Sequence, residues 1–354
     1  MSKDISRETI LGLDVSEKFI RWCEISADGV LDGDGRFRNN REQLVRHFSR
    51  EQVAVALEVG SHSRWITEEL SALGHEVLVL DPRRLKLISG SLYKDDKLDA
   101  ERLAVLTRTS WRLLKTVQPR AEHDQRALTL VRARATLVEM RTKAVNAVRG
   151  LLKPYGVRIG KKGGSPKFRA EALRAMPDGL VEILDPMLQS IESLNAAITD
   201  LDRQVEDYLP KLAGDAMHLL KIDGVGALTL LYFVALVGDP YRFEKNRSIG
   251  SYFGLCRKRD DSGDRTSELG ITKAGDPYMR ALLANCASHI LGPFGKECDL
   301  RRAGLRVAGH SNQRGPKKRA KTAVSRRLAV LMLALWKSGE KYDPDRNRPL
   351  EKAA

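Results

Sequence analysis

The sequence predicts a mixed α/β domain over residues 1–115, long helices over 116–215 and a mainly helical part over 216–354. Three observations predict it. Short apolar runs bounded by turn residues fill the first hundred positions. A seven-residue apolar repeat runs from Leu180 to Tyr208. Beyond Leu219, glycine-punctuated loops separate apolar helical stretches.

In chain order, "TILGLDV" is an apolar strand that ends on Asp14. "KFIRWCEI" and "GVLDGDGRFR" are two more strands, joined by the turn-rich "SADG". "EQLVRHFS" is a short helix, and "QVAVALEVG" is a buried strand ending on Glu58. "SRWITEELSALG" carries apolar residues at helical spacing and is stopped by Gly74. "HEVLVLDP" is a further strand, and Lys97 to Arg108 is helical again. Three antiparallel strands followed by alternating α and β is the order of the ribonuclease-H fold.

In the middle part, Leu180, Leu184, Met187, Ile191, Leu194, Ile198, Leu201, Val205 and Tyr208 alternate spacings of four and three. That is the heptad pattern of a coiled coil. A partial version, with Leu128, Val131, Ala135, Val138 and Val145, lies in an earlier helix around 125–152. The basic, glycine-rich "GKKGGSPKFR" separates the two. An antiparallel hairpin, a clasp between two chains and a plain helical bundle all satisfy this pattern.

The last part begins with "KIDGVGALTLLYFVALVGD", an I-x-G-x-G turn between two helical stretches. Such a turn can present backbone N–H groups to a phosphate, and it serves equally as a tight helix–helix link. "RSIGSYFGLCRKRDDSGDRTSELGITKAGDPYMRALLANCA" reads as a basic, glycine-punctuated loop running into a helix. "RGPKKRAKTAVSRR" has seven basic residues in fourteen and no acid, and leads into "LAVLMLALWKSG".

The chain carries 61 Lys+Arg against 46 Asp+Glu, a net charge of +15, which points to a polyanionic partner, nucleic acid above all. The apolar run "LAVLMLALW" is too short to span a bilayer, and "MSKDISRET" lacks the apolar core of a signal peptide. The expected location is the cytoplasm, with no membrane contact. Cys23, Cys256, Cys286 and Cys298 form no C-x-x-C pair and, with seven scattered histidines, no zinc set. Free thiols are expected.

Against this basic background, "SLYKDDKLDAERLA" puts Asp95, Asp96 and Asp99 within five positions. In a ribonuclease-H topology the first and fourth strands are adjacent and parallel, so Asp14 and Glu58 end side by side. Asp96 and Asp99, three apart, share one face of a helix. If that helix packs against the same edge, four carboxylates converge. They would repel one another unless cations neutralised them. Two Mg²⁺ ions about 4 Å apart would do so and would activate a phosphodiester. Taken singly, Asp14 reads as a turn residue, Glu58 as a strand-end charge and Asp96 as an N-cap.

"GLDVSEK", "LEVGSHSRWI", "GHEVLVLDP", "KDDKLDAERLA", "IDGVGALTLL" and "SIGSYFGLCRKRDDSGDRTSELGITKAGDPYMRALL" follow in that order. Together they resemble the DEDD transposases of insertion sequences, recombinases associated with a bridge RNA. The resemblance covers nearly the whole chain. It implies a RuvC-like ribonuclease-H domain with a carboxylate tetrad, which maps onto Asp14, Glu58, Asp96 and Asp99. It also implies a coiled-coil connection that supplies a dimer contact, and a C-terminal transposase domain with a nucleophilic serine. The matching serine is Ser262 of "RDDSGDR", ten residues after Tyr252 and ahead of "GITKAG". On residues alone, a Ser-Gly pair in a polar loop is an ordinary turn. One departure stands out. The family's Lys-Thr-Asp-x-x-Asp-Ala is here Lys94-Asp95-Asp96-Lys97-Leu98-Asp99-Ala100, with Asp95 in place of threonine.

The implied activity is recombination of double-stranded donor and target DNA without net hydrolysis, through a phosphoserine ester, with magnesium and a guide (bridge) RNA. The implied assembly is a homodimer that builds a tetramer, with serine and tetrad meeting across domains. Base pairing by the RNA would choose the target, and the protein would hold backbone. The candidate backbone contacts are Arg257, Lys258, Arg259, Lys273, Lys317, Lys318, Arg319 and Lys321. A Holliday-junction resolvase that shares the carboxylates but uses water is the alternative, and a non-catalytic nucleic-acid scaffold is another.

Overall fold

A computed structural model describes residues 9–81, 96–110, 114, 116–160, 163–262, 265–309 and 313–346; for 96–98, 259–262 and 265–268 it describes the backbone only. Lys94 and Asp95 lie outside the described residues. The chain divides into two compact units, residues 1–120 and 121–354.

The N-terminal unit is mixed α/β. Its strands are β1 (Ile10–Val15), β2 (Phe19–Ile25), β3 (Leu31–Arg38), β4 (Ala54–Glu58) and β5 (Glu76–Leu80). Its helices are α1 (Arg41–Phe48), α2 (Ser63–Ala72) and α3 (Asp96–Ser110). The sheet order is β3-β2-β1-β4-β5. β1 pairs antiparallel with β2, and β2 with β3. β4 lies parallel to both β1 and β5. This is the element order expected from the sequence.

Alternation along each strand sends successive side chains to opposite faces. Leu11 and Leu13 of β1 and Val55 and Leu57 of β4 go to one face. There they pack on Leu44 and Phe48 of α1 and Ile66 and Leu70 of α2. Gly12 and Ala56 go to the other face, which α3 covers. Leu103 packs there with Ala56 and Leu80, and Ala104 with Ile10, Ile25 and Ala54. α3 comes so near that a Cβ on Gly12 would stand 2.1 Å from the Ala100 carbonyl oxygen and 2.6 Å from the Ala104 nitrogen. Glycine is therefore the residue this approach requires. At the far end of α3, the Arg108 guanidinium donates to the carbonyls of Ser26 and Ala27 in the β2–β3 turn. α3 thus runs antiparallel to β1, with its N-terminal turn toward Asp14.

On the α1 face, the His47 ring lies 4.8 Å from Trp22 and 4.9 Å from Phe37, and its Nε2 is buried without a hydrogen-bond partner. Burial first, then the nearby Arg50, lowers its pKa, against a smaller opposing pull from Glu24. The unfolded chain therefore takes up this proton before the folded one does. Its contribution to stability is complete above the ordinary imidazole value of about 6.5 and is lost as pH falls through the lower, folded value. Urea unfolding of the chain should show a stability that declines from roughly pH 7.5 to pH 5, and His47→Phe should flatten that decline.

The C-terminal unit is built on α4 (Glu122–Leu152) and α6 (Asp178–Leu212), with the short α5 (Phe168–Ala175) between them. Arg134 Nε donates to Asp202 at 2.8 Å and Arg141 Nη1 to Asn195 at 3.1 Å, so the two long helices run antiparallel. Leu184, Ile191, Ile198 and Val205, one half of the heptad pattern, are buried. The alternate positions Leu180, Met187, Leu194, Leu201 and Tyr208 are half-buried. Of the arrangements open to the heptads, the intrachain antiparallel hairpin is present.

One core joins this hairpin to the helices that follow, α7 (Ala227–Val237), α9 (Pro277–Leu291) and α11 (Arg314–Ser338), around the fully buried Tyr232 and Phe233. α8 (Ser248–Tyr252) and α10 (Asp299–Ala308) complete the helices named here. Asp276 binds three of these parts together. It caps α9 through the Met279 N–H at 2.8 Å and accepts from Tyr232 OH and Arg132 Nη2, each at 3.1 Å.

One expectation needs correction. The basic, glycine-punctuated segment after Tyr252 is an antiparallel hairpin, β6 (Arg257–Ser262) and β7 (Arg265–Ile271), and not a loop. Alternation of polar residues in "RKRDDS" and "RTSELGI" carries little apolar signal, so the hairpin is nearly invisible to periodicity. Its base is clamped to α8, because Gly275 leaves only 2.1 Å between its Cβ position and the Tyr252 carbonyl oxygen. None of the four cysteines is in a disulfide, and Cys23, Cys286 and Cys298 are buried. Among the described residues no helix is long and apolar enough to cross a membrane.

Candidate active site and nucleic-acid interface

The first site forms at the carboxyl end of β1 and β4. The parallel ladder pairs Gly12 with Ala56 and Leu13 with Leu57. One step on, Asp14 and Glu58 stand side by side, on the same face as Gly12 and therefore on the face that α3 covers. Ala100 of α3 sits over Gly12. One residue earlier comes Asp99, and Asp96, about one turn before Ala100, begins the helix as described. The topology thus gathers the ends of three elements, each with an acid, around one sheet edge. Such edges are where open α/β sheets hold ligands.

The side chains are less closely gathered than the backbone. The Asp99 carboxylate is met by Arg102 Nη1 at 3.4 Å, and Glu58 is exposed. Among the described residues no three His, Cys, Asp or Glu side chains are near enough to hold one ion. The side chain of Asp96 lies outside the described residues. As chemistry, the set suits a hard cation, being all oxygen donors on adjacent elements.

The same face adds cations that sequence reasoning missed. Arg21 of β2 is the cross-strand partner of Asp14, and Arg36 of β3 is the partner of Arg21. The Arg36 guanidinium lies 5.0 Å above the Phe19 ring. A basic row therefore adjoins the acidic pair. The period-two pattern of "RFR" was the available signal.

In the C-terminal unit, Ser262 closes β6, paired with Arg265 of β7. Its side chain, and that of Arg259, lie outside the described residues. Arg257 and Lys258 are exposed at the start of β6. Lys273 is exposed after β7 and has a left-handed φ of 55°. Lys317, Lys318 and Arg319 are exposed on the first turns of α11, with Lys321 half-buried. The structure brings Arg257, Lys318 and Arg319 to one groove and adds Arg247, Arg306, Arg326 and Arg327 to it. Lys258, Lys273, Lys317 and Lys321 are not among its walls. At the I-x-G-x-G turn, Asp223 accepts from the Lys296 N–H at 2.9 Å and contacts His289 at 3.3 Å. A carboxylate there weakens the case for a phosphate.

Comparison with known proteins decides the family. Residues 11–157 match a DEDD-type family model described as transposase, and residues 216–297 match the transposase IS116/IS110/IS902 family. The chain belongs to the IS110-type DEDD transposases. This transposase is 28% identical over 349 residues to the transposase for insertion sequence element IS1111A of Coxiella burnetii, covering 96% of this chain and 92% of that one. It is 29% identical over 285 residues to the transposase for insertion sequence element IS1328 of Yersinia enterocolitica, covering 79% and 83%. A probable family 20 transposase of Pseudomonas aeruginosa is 27% identical over 318 residues, covering 87% and 91%. The first matched segment of the transposase contains Asp14, Glu58, Asp96 and Asp99, and the second contains Ser262. Helices α10 and α11 lie beyond both.

Proposed function

We propose that this transposase cuts and rejoins double-stranded DNA through a phosphoserine ester at Ser262, on a RuvC-like ribonuclease-H scaffold whose Asp14, Glu58, Asp96 and Asp99 hold magnesium. The observation that carries the reading is the placement of Asp14 beside Glu58 beneath the N-terminal turn of α3. A structural role does not require two acids side by side at a strand edge, where they repel. A divalent pair, when bound, supplies charge neutralisation and polarises phosphodiester oxygens.

The chain's own residues then have distinct tasks. Asp14 and Glu58 present acceptor oxygens from rigid strand ends. Asp99, now paired with Arg102, and Asp96 would add carboxylates to the ion from α3. Arg21 and Arg36 hold the strand backbone beside them. The Ser262 oxygen attacks phosphorus, an O–P bond forms and the bond to one sugar oxygen breaks. The serine proton ends on that departing oxygen. The reverse attack, by a sugar hydroxyl of another strand, restores the phosphodiester and the serine, so no water is consumed.

A structured guide RNA selects donor and target in this reading, and the basic residues hold backbone, which makes binding strongly salt-dependent. Two chains, and then four, assemble on the DNA. The heptad seam is spent within the chain, so a dimer contact on these helices uses other residues, such as the exposed Met140 and Ile183.

The test is a trapping experiment. The full chain is incubated with DNA carrying the element ends, its RNA and Mg²⁺, then run on a denaturing gel. Wild type should give a denaturant-stable protein–DNA band and Ser262→Ala should give none. A band that survives Ser262→Ala would refute the nucleophile. Clean cleavage by wild type with no covalent species would instead support the resolvase-like hydrolysis.

A further inference from the structure

We propose that the groove between α10, α11 and the base of the β6–β7 hairpin binds an unpaired stretch of DNA, with phosphates on its arginine rim and bases on its apolar floor. The groove has a volume of about 2150 Å³. That is about twice the upper end of the roughly 300–1,000 Å³ of a small-molecule site, a size that suits a polymer.

Charge gives the class. Arg247, Arg257, Arg306, Arg319, Arg326 and Arg327 line the groove, while Asp299 and Asp343 are its acids. Arg302 is already engaged by Asp299, Glu297 and Asp345, which cancels those carboxylates locally. Among the described residues no carboxylate pairs with Arg247, Arg306, Arg319, Arg326 or Arg327. A row of unspent guanidinium groups suits phosphates and stacks on base planes.

The floor decides between duplex and single strand. Leu269 and Leu305, each 45% exposed, share it with Leu300, Val330 and Leu331. A duplex turns its base faces inward and shows such a floor only sugar, phosphate and base edges, which would leave the leucines wet. An unpaired strand offers apolar base faces along with its charges. DNA, the substrate of transposition, is the occupant proposed, and RNA is an outcome of the test. α11 supplies both halves from one helix face, with Lys318 and Arg319 early and Val330, Leu331 and Ala334 later. This inference stands whether or not Ser262 is the nucleophile.

The test measures fluorescence anisotropy of the full chain with a twelve-nucleotide oligo-dT, a duplex of the same length and oligo-U. Two double variants at exposed positions separate the terms. Arg306→Ala with Arg319→Ala should weaken both DNA forms. Leu269→Ser with Leu305→Ser should weaken oligo-dT about tenfold and leave the duplex unchanged. Thermal melting confirms that both variants stay folded. Equal losses on single strand and duplex, or no loss at all from the leucine pair, would overturn the proposal. So would a leucine-dependent affinity for oligo-U above that for oligo-dT, which would make the occupant RNA.

Discussion

Gly12→Ala should lower the unfolding free energy of the N-terminal unit by about 3 kcal/mol, the upper range for overpacking. The new methyl would meet backbone, not a yielding side chain, at 2.1 Å and 2.6 Å. Helix α3 must then lift from β1 along its length, and Leu103 and Ala104 lose their packing against the sheet. The carboxylates of α3 move with it. DNA cutting should therefore fall even in molecules that remain folded. Gly60→Ala is the control, since nothing lies within 4 Å of its Cβ position, and its stability should be unchanged. Urea titrations of both variants check the first effect, and a cleavage assay at a temperature where both are folded checks the second. An unchanged midpoint for Gly12→Ala would show that α3 does not lie on β1 as described.

The second large effect belongs to Asp14→Asn. The change preserves shape and removes one charge. DNA cutting should fall by at least about a hundredfold, the loss expected when one charged group acting on a developing transition state is removed. Adding Mg²⁺ should raise the melting temperature of wild type and leave that of Asp14→Asn nearly still, because only the bound ion links concentration to stability. A variant that cuts at the wild-type rate, or one that responds to Mg²⁺ as wild type does, would remove Asp14 from the ion site.

Some of this architecture was legible residue by residue. "TILGLDV" and "QVAVALEVG" announce strands because buried parallel strands are continuous apolar runs, and their terminal acids interrupt those runs. Gly74 marks the end of α2, where it has a φ of +90°. The heptads from Leu180 to Tyr208 place the buried face of α6 correctly, since helix period is a local property. The same heptads were silent on their partner. An apolar seam is satisfied by any complementary seam, and only the fold shows that α4 of the same chain fills that role, through Arg134–Asp202 and Arg141–Asn195. The β6–β7 hairpin escaped altogether, because polar residues fill most of it and its register rests on backbone hydrogen bonds.

The sequence by itself determined the strands and helices of the first hundred residues, the two long helices and the excess of basic charge. These follow from spacing and composition, which act over a few residues, whereas the role of Ser262 rests on the family resemblance. Tertiary structure alone decided that Gly12 admits α3 and that Arg257, Arg306 and Arg326 share a groove. Those neighbours are far apart along the chain. Their meeting depends on strand order and helix packing, which are settled by burial of the whole molecule's apolar surface and leave no mark on any short stretch of residues.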